Sequence, residues 1–198
     1  MEIPASLVKE LRQKTNAGIM ECKSALQESK GDVEAAIQIL RKRGLAIAEK
    51  KAQRKVPEGI VASYIHLGGK IGVLVEVNCE TDFVARNETF RAFVKDITMH
   101  IAAMNPKYIR REDVPPEVVE QEEEEYASEI TNKPPQIVEK IVEGKLGKHF
   151  FAEKCLLEQP FIKDPDIPIE QYLKQTMGEL GENIVIRRFV RYSMGEDD

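Results

Sequence analysis

The sequence predicts an α+β fold: an N-terminal three-helix module, then a core with a small antiparallel sheet flanked by helices. Three observations carry this prediction. Residues 1 to 45 hold apolar residues at helical spacing in three short stripes, and residues 59 to 79 switch to two β-rich runs around Gly68-Gly69. Helical periodicity then returns until an arginine-rich strand pattern near residues 183 to 192 closes the chain. With 198 residues, 42% of them hydrophobic, the chain has enough apolar material for a packed core.

In the module at 1–45, Ser6 is expected to cap a helix carrying Leu7, Val8 and Leu11, and Asn16-Ala17-Gly18 to punctuate. Ile19, Cys22 and Leu26 form the second stripe. Gly31 breaks it and Asp32 recaps a third helix, with Val33, Ala36, Ile37 and Leu40, that is expected to stop at Gly44. About 45 residues is near the lower limit for independent folding, so such a module needs well-capped helices. A basic connector follows at 46–57, helix-permissive from Ala46 to Lys55 and closed by Pro57.

The α+β core spans 58–198. Its hairpin, 59–79, pairs the run around Ile60 to Ile65 with Ile71 to Val77, the two glycines supplying the positive φ of a tight turn. They do not form a phosphate cradle, because strand-forming residues follow and no G-x-x-x-x-G-K-[ST] pattern is present. A helix is expected over 81–104, with Thr81 as N-cap and Asp82 and Phe83 in its first turn. Its apolar stripe is Phe90, Phe93, Val94, Ile97, Ile101 and Met104. Phe83 lies seven residues before Phe90, so periodicity alone assigns it to that stripe. Beyond Asn105-Pro106, helices are expected over Glu117–Ile130, from Pro134-Pro135, across Phe150–Leu157 and over Ile169–Leu180. Pro160, Pro165 and Pro168 mark a long connection between the last two, and the final strand lies near 183–192.

Charge is uneven: the net −5 divides into +5 over residues 1–55 and −10 over the rest. The basic part could meet an acidic surface or be a solvated helix exterior. No apolar run approaches a membrane span and the N-terminus lacks a secretion signal, so a cytoplasmic protein is expected. Cys22, Cys79 and Cys155 are too dispersed for a disulfide framework or a metal spacing and read as reduced, buried thiols. His66, His100 and His149 are isolated, no serine lies in G-x-S-x-G, and Glu122 to Glu125 cannot share one helical face. No enzyme activity, metal or cofactor is expected. The Asn87-Glu88-Thr89 sequon is read as accidental. Arg41-Lys42-Arg43 and Lys50 to Lys55 could neutralise phosphates, but the first phenylalanine is Phe83, so no stacking platform accompanies them and direct nucleic-acid binding is not expected.

Four blocks carry a family resemblance: Thr15 to Leu26 (TNAGIMECKSAL), Val75 to Arg86 (VEVNCETDFVAR), Glu158 to Phe161 (EQPF) and Arg187 to Tyr192 (RRFVRY). Together they resemble bacterial translation elongation factor Ts in its short form, across essentially the whole chain. The resemblance implies that the N-terminal module is similar to ubiquitin-associated domains. It also implies a guanine-nucleotide exchange factor for the translational GTPase elongation factor Tu, promoting GDP release by disturbing the Mg²⁺ and phosphate site. By the same resemblance, Thr81, Asp82, Phe83 and Val84 are the partner-binding residues that dislocate the GTPase's Mg²⁺, with Phe83 as a wedge rather than a core residue. Ile19, Met20, Lys23 and Lys51 are implied as a second, N-terminal contact. Short members of the family form dimers through their sheets, so a homodimer through the core sheet is a further expectation. The alternatives are an adaptor, or an RNA-binding translation protein, using the basic N-terminal region. The segment 81–84 should be surface-accessible if the wedge is correctly placed.

Overall fold

The computed structural model describes residues 3–15, 17–131 and 133–196; of the expected Asn16-Ala17-Gly18 breaker, Asn16 lies outside them. The elements are α1 (Ala5–Thr15), α2 (Ile19–Glu28), α3 (Val33–Lys51), β1 (Glu58–Ile65), β2 (Ile71–Cys79), α4 (Asp82–Arg86), α5 (Glu88–Met104), α6 (Pro116–Ser128) and α7 (Pro135–Lys145). A π-helical turn, Leu146–Phe151, leads to α8 (Ala152–Lys154), β3 (Pro160–Phe161), β4 (Asp164–Pro168), α9 (Ile169–Leu180) and β5 (Ile184–Ser193). The chain divides into two compact units. One is Met1–Ile60, Val77–Phe93 and Gln171–Val185; the other is Val61–Glu76, Val94–Glu170 and Ile186–Asp198.

The principal sheet has the order β1-β2-β5. The Met194 N–H donates to the Lys70 carbonyl at 2.8 Å, while the Asn183 N–H reaches the Glu80 carboxylate at 2.7 Å, so β5 runs antiparallel to β2. Alternation along β2 buries Val73, Val75, Val77 and Cys79. This is the face that the β-branched spacing dictates.

In the first unit, Leu11, Cys22, Ala25, Leu26 and Ala36 close a small core with Val8 and Ile3. Full burial of a leucine such as Leu11 or Leu26 contributes about 1.5–3 kcal/mol. The first helix starts two residues earlier than a Ser6 cap predicts: the Pro4 carbonyl accepts from the Leu7 and Val8 amides, placing Ser6 inside α1. Asp32 caps α3 as expected, accepting from the Ala35 N–H at 3.0 Å, and Gly31 supplies a φ of 91°. However, α3 passes through Gly44 and runs to Lys51. The close approach here demands a glycine at 178 of α9, where an added Cβ would come within 2.6 Å of the Gly44 Cα, whereas a Cβ on Gly44 would meet the Gly178 Cα at an ordinary 3.8 Å. A helix-interior glycine costs about 1 kcal/mol in propensity, offset here by the contact it permits. The expected connector is helical in its first part, 46–51 being the end of α3, and beyond it the Asn183 amide donates to the carbonyls of Ala52 at 3.2 Å and Arg54 at 2.8 Å, so its second part is held rather than free.

The second unit packs α6, α7 and the π-helical turn around Val114, Val142, Leu146, Phe150 and Cys155. The stretch expected as one helix over Phe150–Leu157 is instead divided into the π turn, α8 and a 3₁₀ turn at Leu156–Glu158. The proline-rich connection contains a two-stranded ribbon, with Pro160 opposite Pro168 and Phe161 opposite Asp164. Proline removes a ladder donor, so such residues suit only a short edge ribbon of this kind.

Buried His100 also lies in this unit. Its Nε2–H donates to Gln159 Oε1 at 2.9 Å and its Nδ1 accepts from the Ile162 N–H at 3.4 Å, which satisfies the neutral ring completely. Burial lowers the His100 pKa below its ordinary 6.5, opposed by the Gln159 hydrogen bond. The unfolded chain therefore takes up a proton that the folded chain refuses. The stability from this group is full above pH 6.5 and falls as the pH drops below that value. Urea midpoints measured on either side of it are expected to show the decline, with a shallower slope in His100→Gln.

Candidate functional site

The junction between β2 and α4 is built by a carboxylate from far along the chain. Glu182 Oε2 accepts from the Glu80 N–H at 3.1 Å and the Thr81 N–H at 3.0 Å, and its Oε1 accepts from the Thr81 hydroxyl at 2.6 Å. A carboxylate can only accept, so the hydroxyl proton is committed to Glu182. The Thr81 oxygen is left to accept from the Val84 N–H at 3.4 Å, capping α4. Glu80 returns the contact: its carboxylate accepts from the Asn183 N–H at 2.7 Å and pairs with Arg54 at 3.4 Å.

This brace sets the direction of α4. Thr81 is extended, with φ −130° and ψ 156°, and α4 lasts only five residues before Asn87 breaks it at φ −67° and ψ 139°. Val84 and Ala85 turn inward, whereas Phe83 is 82% exposed. Asp82 is half-buried and pairs with Arg86 at 3.0 Å, one helical turn away. Phe90 lies in a separate helix, α5, so the seven-residue spacing does not carry Phe83 onto its buried stripe. The expected accessibility of 81–84 holds for Phe83 and in part for Thr81 and Asp82. It does not hold for Val84, a buried anchor of the turn.

Of the N-terminal candidates, Ile19 and Met20 open α2 with exposed side chains, Met20 at 74%, and Lys23 is exposed on the same helix. Lys51 is placed differently: its Nζ donates to the Gly181 carbonyl just beyond α9. Glu182 and Asn183 carry no local sequence signal, because their partners lie about a hundred residues away.

The thiol at the turn is not poised as a nucleophile. Burial, with the Glu182 carboxylate second, pushes the Cys79 thiol up to about 11, and its Sγ donates to the Thr81 carbonyl at 3.2 Å. At neutral pH it is a thiol, not a nucleophilic thiolate. Among the described residues no cluster of His, Cys, Asp and Glu could hold a metal, and no helix is long and apolar enough to cross a membrane. A cavity of about 250 Å³ in the first unit, lined by Arg41, Tyr172 and Gln175 among others, contains no Cys, His or Ser.

Comparison with known proteins places the chain among the translation elongation factors. The family model described as Elongation factor TS matches residues 2–196. An Elongation factor Ts of Thermodesulfovibrio yellowstonii is 60% identical over 197 residues, covering 99% of this chain and 98% of the relative. Those of Geobacter sulfurreducens and Geobacter metallireducens are 59% and 61% identical over 198 residues, covering 99% of this chain and 91% of each relative. The chain belongs to the elongation factor Ts family.

Proposed function

We propose that this chain is a guanine-nucleotide exchange factor for elongation factor Tu, acting in the cytoplasm and needing no cofactor of its own. The observation that carries this proposal is Phe83, a large apolar ring held in solvent on a braced turn. An exchange factor must bind the nucleotide-free GTPase more tightly than the GDP-bound form, and by linkage it weakens GDP by the same factor. Phe83 enters an apolar cleft of the GTPase beside its nucleotide site and displaces the elements that hold Mg²⁺ and phosphate. Asp82 and Thr81 present the ring, and Val84 anchors it from within. Loss of Mg²⁺ leaves the diphosphate poorly neutralised and quick to depart. Ile19, Met20 and Lys23 supply a second contact from α2; Lys51 supports that region through its bond to Gly181.

The rival adaptor and RNA-binding functions draw on the basic N-terminal residues. Several of these are engaged internally: Arg43 with Glu28 at 2.7 Å, Arg54 with Glu80, and Lys51 with Gly181. An adaptor would bind elongation factor Tu or another partner without accelerating nucleotide release. The deciding test is therefore release of labelled GDP from elongation factor Tu with and without the intact chain.

We further propose that the chain self-associates through the second face of its sheet. Glu76 and Arg188 pair at 2.7 Å, placing Leu74 on β2 with Val190 and Tyr192 on β5. A Cβ on Gly72 would lie 3.1 Å from Ile65 Cδ1, which adds Ile65 and Val61 of β1 to the same face. Val61 is 69% and Tyr192 64% exposed, so this face presents a contiguous apolar group to solvent, the kind of patch that marks an interaction surface. Sedimentation of the intact chain is expected to give a dimer and Leu74→Glu a monomer. A monomeric intact chain at the highest concentrations accessible would contradict self-association.

A further inference from the structure

We propose that Glu182 is the positioning residue of the Phe83 contact, and this rests on the exchange-factor function proposed above. The carboxylate accepts both backbone amides and the one hydroxyl at the junction, with distances of 2.6 to 3.1 Å. The amides of Glu80 and Thr81 leave β2 pointing at one oxygen, which fixes the exit direction of the chain. The Thr81 hydroxyl, oriented by the other oxygen, presents its lone pair to the Val84 N–H and so fixes the first turn of α4. Phe83 lies within that turn, between the residue that Glu182 holds and the residue that Thr81 caps. A five-residue helix is too short to hold itself in water, so its direction depends on these tethers.

Glu182 is itself fixed. Its neighbour Asn183, 2% exposed, is tied through its side chain to Ala52 and Arg54 and through its backbone N–H to Glu80. Two successive residues thus exchange bonds with two successive residues of the turn: Glu182 accepts from 80 and 81, and Glu80 accepts from Asn183. The ring of Phe83 needs no contact of its own to stay presented, which is consistent with its exposure. Glu182 does not touch the GTPase in this scheme; it acts through the turn.

Glutamine is the informative substitution. Its single oxygen can still accept the two amides, but its NH₂ then faces the Thr81 oxygen as a donor, so the hydroxyl loses its orientation while the backbone tether survives. Alanine removes both.

The chain has no tryptophan, so Phe83→Trp makes a single reporter in the full-length protein. In that background Glu182→Ala is expected to raise the fast mobility of the indole seen by time-resolved anisotropy, and Glu182→Gln to raise it less. Stimulation of GDP release is expected to fall by about tenfold in Glu182→Ala, with partial rescue in Glu182→Gln. In a Phe83→Ala background the same substitution is expected to have almost no further effect, because its action passes through the ring. Unchanged indole mobility would overturn the proposal. So would an equal loss in both backgrounds, the signature of a general structural role or of a separate contact. If the intact chain fails to accelerate GDP release at all, the exchange-factor function falls, and the anisotropy comparison alone decides whether Glu182 holds the turn.

Discussion

Phe83→Ala is expected to reduce stimulation of GDP release by about 30-fold, the equivalent of about 2 kcal/mol, while leaving the chain as stable as before. The two halves of this expectation have separate grounds. A phenyl ring 82% exposed in the free chain contributes little to folding, since little apolar surface is removed from water there. If the ring is desolvated in a partner's cleft, all of its burial energy appears on binding, and rigid aromatics held in place are the residues that dominate interfaces. The alanine chain should melt with the parent and keep the hydrogen bonds of Glu182 to residues 80 and 81. A matched loss of melting temperature and of exchange would instead mean that the ring packs against its own chain.

Gly59→Ala is the substitution expected to cost most in stability. Gly59 has φ +150°, and an added Cβ would come within 2.3 Å of the Val77 carbonyl oxygen and 2.7 Å of the Asn78 Cα. Both obstacles are backbone in the paired strand, so no side-chain rotation relieves them. A loss of about 3 kcal/mol or more is expected in urea unfolding. Gly68→Ala separates the contributions: its φ of +89° is unfavourable to alanine, but no atom lies within 4 Å of the added Cβ. That variant should lose only about 1 kcal/mol from conformational strain. Equal losses at the two positions would show that strain, not the close approach of β1 to β2, sets the cost.

Most of the fold was legible because its signals are local. The alternation of Val73, Val75 and Val77 names the buried face of β2, Asp32 and Thr81 cap where short polar side chains should, and α9 occupies the predicted span. The failures share a cause. Gly44 reads as a helix stop, yet α3 runs through it, and the glycine that close packing demands is Gly178 of another helix, a contact with no trace in the residues around Gly44. Prolines at 160 and 168 argue against strands, yet they face each other in a two-stranded ribbon. At the candidate site, the cap at Thr81 and the first-turn place of Asp82 and Phe83 were readable. The outward direction of Phe83 was expected from the family resemblance alone, because periodicity assumes one continuous helix and the break at Asn87 resets the phase. Glu182 was illegible for the same reason as Gly178: its partners are distant in sequence.

The central claim is tested most directly by the release of labelled GDP from purified elongation factor Tu. The intact chain is expected to accelerate release strongly at catalytic amounts, and excess Mg²⁺ to blunt the effect if dislocation of the metal is part of the step. Release that proceeds at its spontaneous rate, with the chain demonstrably folded and bound to the GTPase, would contradict the account.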